Sequence, residues 1–323
     1  MNASPSAHAG ASLAPDAPVY QGASSARAWL RVLRLPTACA ALWPLLLGMA
    51  LALPSRDALS AWLWAPALLC ALLLHSGAHL MNDLGDYQRG LDRAGEPGGS
   101  GVLPARLLAP GQVARAAWVA LGLSALCGSA LLLGRGLPMM ALGAAFLLGS
   151  WGYTAGPGFK YLGLGDLFVF LLEGPLLALA GFVAVSGQAG WEPAAAGVPL
   201  GLLATAALHA NNLRKRKGDL EGGVATVALW LGVRGSLRYF LALVCGAFAT
   251  LGLAVWSGIL PAVSLVALAA LPLATWSFRA LVTAVQRRAA GERVVATLLW
   301  LRLGFGLVLC AAVLMQGGAS WPR

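Results

Sequence analysis

Charge is what this chain has least of. Only 11% of its 323 residues are charged, against 59% hydrophobic, and Asp and Glu together number 12. A soluble domain is about a quarter charged, so a water-soluble globular fold is excluded. Cysteine is sparse and unpaired. Cys39, Cys70, Cys127, Cys245 and Cys310 lie singly inside apolar runs, an odd, scattered set that packs rather than forming disulfides. No cysteine spacing suits a metal framework. The start of the chain lacks a basic segment followed by an apolar core, so no cleaved signal peptide is expected. Residues 1–25 are rich in Ala, Ser, Pro and Gly and are expected to be a disordered tail, leaving 26–323 as one membrane domain.

What is present is apolar length. A helix that crosses a bilayer needs roughly 20 apolar residues. Such runs recur at 36–54, 61–82, 113–133, 137–154, 165–187, 194–212, 237–256, 259–280 and 295–316. The fold class that follows is all-α, a polytopic bundle of about nine transmembrane helices embedded in a lipid bilayer. Ahead of the first run, "RAWLRVLRLP" places Trp29, Leu30 and Leu33 near one face and arginines elsewhere, the pattern of an interfacial helix. Pro36 fits the first turn of the next helix.

The net charge of +10 raises nucleic acid as a partner, and its distribution argues against it. With the N-terminus inside, eighteen of the 22 Lys and Arg residues fall in cytoplasmic segments, while Arg56, Arg135 and Arg323 lie outside and Arg302 lies within the last span. Positive charge marks the cytoplasmic side and faces anionic lipid heads. An odd number of spans sends the C-terminus outside. The two longest loops expected, 83–112 and 213–236, hold most of the polar chemistry.

The first polar cluster is "NDLGDYQRGLD", residues 82–92. Asn82, Asp86 and Gly90 share a helix face, with Asp83 and Asp92 close by. Carboxylates disfavour a helix C-terminus, so their gathering asks for a cation. Oxygens of Asn82, Asp83, Asp86 and Asp92 suit a hard ion such as Mg²⁺, which takes one or two carboxylates and completes its shell with water and substrate phosphate. The second cluster, "HANNLRKRKGDLEGG", places Asn211, Lys215 and Asp219 on one face. Each cluster has a histidine three residues before an asparagine, His79 before Asn82 and His209 before Asn212. This suggests a duplicated architecture with facing sites. The basic run Arg214–Lys217 reads equally as positive-inside charge or as phosphate-binding, and the histidines read as core or interface residues. Glu173 lies inside the fifth run, where ionisable residues are usually functional. Two such clusters on one cytoplasmic face suit a diphosphate held by Mg²⁺, with an apolar bundle between them for a lipid tail.

Four motifs in order, "NDLGDYQRGLD", "GGSGVL", "YTAGPGFKYLGLGDLFVFLLEGPL" and "NNLRKRKGDLEGGVATVALWLG", resemble the UbiA superfamily of intramembrane prenyltransferases. Within it they are most similar to the menaquinone-pathway 1,4-dihydroxy-2-naphthoate polyprenyltransferases. The resemblance runs from about residue 27 to residue 316. It implies a nine-helix, all-α fold in the bacterial cytoplasmic membrane, Mg²⁺ as cofactor, and a polyprenyl diphosphate and an aromatic acid as substrates. It implies metal ligation by Asn82, Asp86, Asp92 and Asp219, with Asp83 included in the candidate set. Asp86, Asp219, Lys160 and Tyr153 would serve catalysis. Asn211, Asn212, Lys215 and Asp166 would contact substrate.

The chain departs from the family pattern at three positions. The family has Asp where Lys215 stands, a basic residue where Leu220 stands and Lys where Val224 stands. An ammonium cannot ligate Mg²⁺, but it contacts a diphosphate as a point charge. The rival readings are prenylation of another acceptor, or a non-catalytic prenyl-lipid-binding or transport protein. A transporter is expected to break its helices at the midplane, whereas the polar residues here gather at one end. The charge bias makes a direct prediction. Single cysteines in 83–112 and 213–236, in a background without the native five, are labelled from the cytoplasmic side. Labelling of both only from outside contradicts the topology.

Overall fold

The computed structural model describes residues 25–57, 59–93, 99–287 and 291–317. The N-terminal tail expected from composition lies outside these residues, apart from Ser25. The described residues contain α-helices, three short 3₁₀ segments and no strand, with one isolated bridge between Leu162 and Ala225. The helices are α1 (Ser25–Leu33), α2 (Leu35–Ala41), α3 (Trp43–Leu51), α4 (Ser60–Gln88), α5 (Pro110–Arg135) and α6 (Leu137–Thr154), followed by α7 (Gly165–Leu172), α8 (Pro175–Ser186), α9 (Trp191–Glu221), α10 (Val227–Trp256), α11 (Leu271–Arg287) and α12 (Glu292–Met315). Among the described residues, eight helical stretches are long and apolar enough to cross a membrane. The expected ninth, at 137–154, is α6, of 18 residues. The chain is an integral membrane protein.

Two expected boundaries move. The apolar runs end near 82 and 212, but α4 and α9 continue to Gln88 and Glu221, with 29 and 31 residues. At 1.5 Å per residue they are about 43 and 46 Å long, well beyond a hydrocarbon core of about 30 Å. Both polar clusters are therefore the last turns of long helices, not the starts of loops.

The two helices also end alike. Gly90 and Gly223 take positive φ of 69° and 67°. Leu91 N donates to Asp86 O and Gly90 N to Tyr87 O. Val224 N donates to Asp219 O and Gly223 N to Leu220 O. Each is a Schellman termination, which needs a left-handed residue just past the helix. Asp86 and Asp219 hold the same place in it, so the duplication suspected from sequence extends to the helix ends.

α4 packs on α5, α9 on α10, and α3 on α8. The α3–α8 contact is backbone to backbone: a side chain at Gly48 would strike the Ala178 carbonyl, and one at Gly181 the Leu45 carbonyl. The fifth span is broken between α7 and α8 at Glu173 and Gly174. A large core of Leu, Phe, Val and Ala fills the bundle around Phe240, Phe305 and Leu203. A smaller one seats Ala28 and Val32 of the amphipathic α1 on Leu80 and Leu84 of α4 and on Val102, Leu103 and Leu108. The α1–α2 junction bends at Arg34, a non-glycine at φ 48°.

A cation clamps the opposite end. Arg135, buried at the end of α5, donates to the Ala184 and Val185 carbonyls at 2.8 and 2.9 Å, and to both oxygens of the half-exposed Asp57 at 2.7 and 3.0 Å. Asp57 also accepts from Ser60 N at 2.8 Å, at the start of α4. The Arg135 hydrogen bonds hold the Asp57 carboxyl down at about 2, against 3.8 for a free side chain. A depressed folded value adds stability above the unfolded value that is lost as pH falls through the folded one. Asp57→Asn should therefore melt below wild type at about pH 6, with the gap closing between about pH 4 and pH 2. A gap that does not change with pH contradicts this account.

Candidate active site

α4, α9, the 155–164 turn and residues 91–93 and 99–101 meet at one end of a cavity of about 1150 Å³. One face of α4 carries His75, His79, Asn82 and Asp86 into it, and one face of α9 carries Leu208, Asn211, Lys215 and Asp219, both at the spacing of a single helical stripe. Away from these clusters the wall includes Leu42, Leu74, Phe146, Leu172, Leu177 and Leu298. The cavity thus has a charged mouth and a mostly apolar body.

Asp86 is the hub. It is 1% exposed. Its oxygens accept from Lys160 Nζ at 2.7 and 2.6 Å, from the Tyr161 hydroxyl at 3.0 Å and from Lys215 Nζ at 3.2 Å. Lys160 Nζ also donates to Asn82 Oδ1 at 2.7 Å. Lys215 Nζ also donates to Asp92 Oδ1 at 2.9 Å. A carboxylate this buried is tolerated only when paired and hydrogen-bonded.

The turn that supplies Lys160 and Tyr161 is fixed on several sides. Phe159 stacks on Phe168 at 4.5 Å between centroids. Ala225 N donates to Tyr161 O at 3.1 Å, tying the turn to the end of α9. The Arg89 guanidinium lies 4.1 Å from the centre of the Tyr161 ring, a cation–π contact. Burial pulls the Lys160 ammonium below the usual lysine value, and Asp86 opposes that pull. Burial and Asp86 push the Tyr161 phenol up, so it stays protonated and donates.

The residues expected from sequence separate into groups. Asn82, Asp86, Lys160, Tyr153, Asn211, Asn212, Lys215 and Asp219 line the one cavity. Asp92 joins them through Lys215. Asp83 does not. It is one residue, about 100° around the helix, from Asn82, and its carboxylate accepts from Arg34 Nη2 at 2.6 Å and Ser100 N at 3.0 Å. Asp83 therefore braces the bent α1–α2 junction and the 99–103 turn. Asp166 faces His209 Nδ1 at 3.2 Å and lines a separate, smaller cavity with Tyr239. His209 is fully buried, the core role expected of it, whereas His79 lines the large cavity.

Sequence reasoning missed Tyr161 and Arg34. The adjacency of Tyr161 to Lys160 was the available signal for the first. Nothing local marked the second, which meets Asp83 across 49 residues.

The donor set bears on Mg²⁺. Among the described residues no three Asp, Glu, His or Cys side chains gather as metal ligands. The five-residue set expected from sequence is thus not one cage, because Asp83 turns to Arg34 and the Asp219 side chain shares no hydrogen bond or ion pair with the Asp86 cluster among the described residues. Asn82 and Asp86 do converge on one cationic nitrogen, Lys160 Nζ, and Asp86 and Asp92 on another, Lys215 Nζ. Hard oxygens already focused on positive charge fit a hard divalent ion. The α9 cluster does not fit a second one. Asp219 is the single carboxylate it turns to the cavity, with no side-chain hydrogen bond or ion pair among the described residues. Glu221 pairs with Arg93 and Lys217, and Lys215 stands one turn from Asp219.

These roles separate by measurement. Asp83→Asn should lower the melting temperature and leave Mg²⁺ affinity unchanged. Asp86→Asn should weaken Mg²⁺ binding, since it removes the charge on which the donor set centres. Equal loss of Mg²⁺ affinity in both variants contradicts the division.

The UbiA prenyltransferase family model matches residues 41–302. UbiA prenyltransferase domain-containing protein 1 of Mus musculus and of Homo sapiens are each 32% identical over 196 residues, 60% of this chain and 58% and 57% of theirs. The chain thus spans under two thirds of the length of these curated relatives. A UbiA homologue from Archaeoglobus fulgidus, solved bound to GPP and Mg²⁺, superposes with a TM-score of 0.59 at 15% identity, over 89% of this chain and 99% of that one. An apo UbiA homologue from Aeropyrum pernix K1 gives 0.59 at 17%, over 86% and 97%. At these identities the structures speak to the fold alone.

Proposed function

We propose, from the premise that this chain belongs to the UbiA prenyltransferase family, that it transfers a polyprenyl group from an allylic diphosphate to an aromatic acceptor. The acceptor we assign is 1,4-dihydroxy-2-naphthoate, on the motif resemblance of residues 82–92. The carrying observation is the cavity itself: two buried ammonium groups and three amides among the groups at its mouth, and a long apolar body behind them. That is the shape and polarity of a diphosphate with a hydrocarbon tail. The solved Archaeoglobus fulgidus homologue with GPP and Mg²⁺ supports the same substrate class. The charge bias supports a mouth on the cytoplasmic side. The curated relatives are animal proteins, which lends no support to a bacterial membrane.

Charge balance in the mouth explains a need for a metal. Lys160 and Lys215 are already matched by Asp86 and Asp92, so a diphosphate arriving alone would compete with these carboxylates for the two ammonium groups. Asn82, Asp86 and Asp92 would hold Mg²⁺, and the chemistry it supplies when bound is neutralisation of a departing diphosphate. Lys160 and Lys215 then turn from carboxylate to phosphate oxygen. Asn211 and Asn212, whose side chains have no protein partner among the described residues, donate from their amides to the same group. The allylic C–O bond breaks with its electron pair going to the diphosphate. The acceptor's ring carbon attacks the cation, and in naphthoate chemistry the ring recovers its electrons as the carboxylate departs as CO₂. The apolar walls keep water from the cation.

A second reading, a prenyl-lipid-binding protein on the same fold, draws on the break at Glu173 and on Lys215 in place of a carboxylate. Steady-state assays of purified protein with several prenyl diphosphates and aromatic acids, with and without Mg²⁺, decide between them. In the transferase reading Lys215→Ala raises KM for the prenyl diphosphate more than about tenfold, since a lost charge-assisted contact is worth roughly 1.5–3 kcal/mol. Lys215→Asp steepens the Mg²⁺ dependence. Unchanged KM in Lys215→Ala removes Lys215 from the site. An inert wild type that gains turnover as Lys215→Asp supports the binding protein.

A further inference from the structure

The cavity has a second polar locus that the diphosphate chemistry does not use. His75 and His79 lie on the same stripe of α4 as Asn82 and Asp86, and all four line the cavity. The two rings touch, with centroids 4.4 Å apart. His75 Nε2 and His79 Nδ1 are buried without a hydrogen-bond partner. The break between α7 and α8 sets Glu173 inside the fifth span, where Arg302 Nη2 of α12 donates to it at 2.6 Å. The other N–H groups of Arg302 have no partner among the described residues, and both side chains line the cavity. All four residues line the same cavity, and the Glu173–Arg302 pair joins α12 to the break in the fifth span.

Such groups are costly at membrane depth and mark sites. Packing alone explains the ion pair, since each charge satisfies the other. It does not explain two ring nitrogens left unpartnered in the same cavity as a guanidinium with free donors. Those atoms are complementary to a ligand that both gives and accepts hydrogen bonds.

Position selects the ligand. The helical rise puts His79 about 10 Å and His75 about 16 Å along α4 from Asp86. In the prenyl-transfer reading, a diphosphate held at Asn82 and Asp86 would leave its allylic carbon on the cavity side of this stripe. An aromatic ring attacking that carbon would have the histidines within reach of its far edge.

We propose that His75, His79, Glu173 and Arg302 form the acceptor subsite and take a hydroxylated aromatic ring. One ring oxygen accepts from the free N–H groups of Arg302, and one ring hydroxyl donates to an unpartnered histidine nitrogen. The proposal rests on the prenyl-transfer reading of the cavity, and its test does not need turnover.

Binding is measured by calorimetry on the full chain in detergent, with 1,4-dihydroxy-2-naphthoate, with 2-naphthoate, which lacks the hydroxyls, and with geranyl diphosphate plus Mg²⁺. The variants are His79→Phe and the double variant Glu173→Gln with Arg302→Gln, which removes both charges so that neither is left alone. Melting curves confirm folding. In each variant affinity for the dihydroxynaphthoate falls about tenfold or more, as expected for a lost hydrogen bond at a buried polar site, while geranyl diphosphate binding is unchanged. The preference of the wild type for the hydroxylated ring disappears in His79→Phe. No binding of the dihydroxynaphthoate to the wild type overturns the subsite. So does unchanged affinity in both folded variants, or equal weakening of both ligand classes. Ring binding that needs His79 in a protein without turnover keeps the subsite and overturns the transferase reading. Turnover with an unaltered acceptor KM in both variants does the reverse.

Discussion

Asp86 is a carboxylate with 1% of its surface exposed, at the end of a helix whose dipole disfavours it. An ion in such a place costs several kcal/mol unless it is matched. The match is made by Lys160 and Tyr161 from the 155–164 turn and by Lys215 from α9. Lys215 in turn holds Asp92 beyond the end of α4. Three parts of the chain therefore converge because one charge has to be satisfied. The cavity mouth has its shape for the same reason.

The rest of the bundle serves that convergence. α4 and α9 are long enough to clear the hydrocarbon layer and still carry their last turns as helix, so side chains four residues apart stay on one face. The matching Schellman ends set the backbones of Asp86 and Asp219 in the same relation to the turn that follows. Arg34 and Asp83 brace the bent junction that brings α1 against α4. At the other end, Arg135 ties α5, the end of α8 and the start of α4 together. Without ligand, Asp86 and Asp92 are matched by Lys160 and Lys215, while the Asp219 side chain has no hydrogen bond or ion pair among the described residues. A site in that state is poised to exchange its internal cations for an external one, and to release the ammonium groups toward an anion.

Much of this was legible in the chain. Apolar runs locate the spans because lipid imposes a fixed length on each. Asn82, Asp86, Asn211, Lys215 and Asp219 were legible as facing stripes because helical periodicity needs no tertiary information. The helix ends were not, since the apolar pattern stops where lipid stops, six to nine residues before the backbone stops being helical. Asp83 is a neighbour of Asn82 in sequence but not in direction, since successive helix residues point about 100° apart. Its partner Arg34 lies 49 residues away. Asp166 belongs to His209 for a similar reason: the pairing crosses 43 residues. Glu173 stood out as a charge within a span, but its partner Arg302 could be identified only once α7, α8 and α12 were in place.

The central claim is that one divalent cation takes over the oxygens now held by lysines, and that Lys215 stands where a second would otherwise bind. Anomalous diffraction from crystals grown with Mn²⁺ and a non-hydrolysable prenyl thiodiphosphate tests it most directly. The account predicts a single anomalous peak at Asn82 and Asp86, with Lys160 and Lys215 turned onto the diphosphate. A peak at Asn211 and Asp219, or a bound diphosphate with Lys160 still on Asp86, would contradict it.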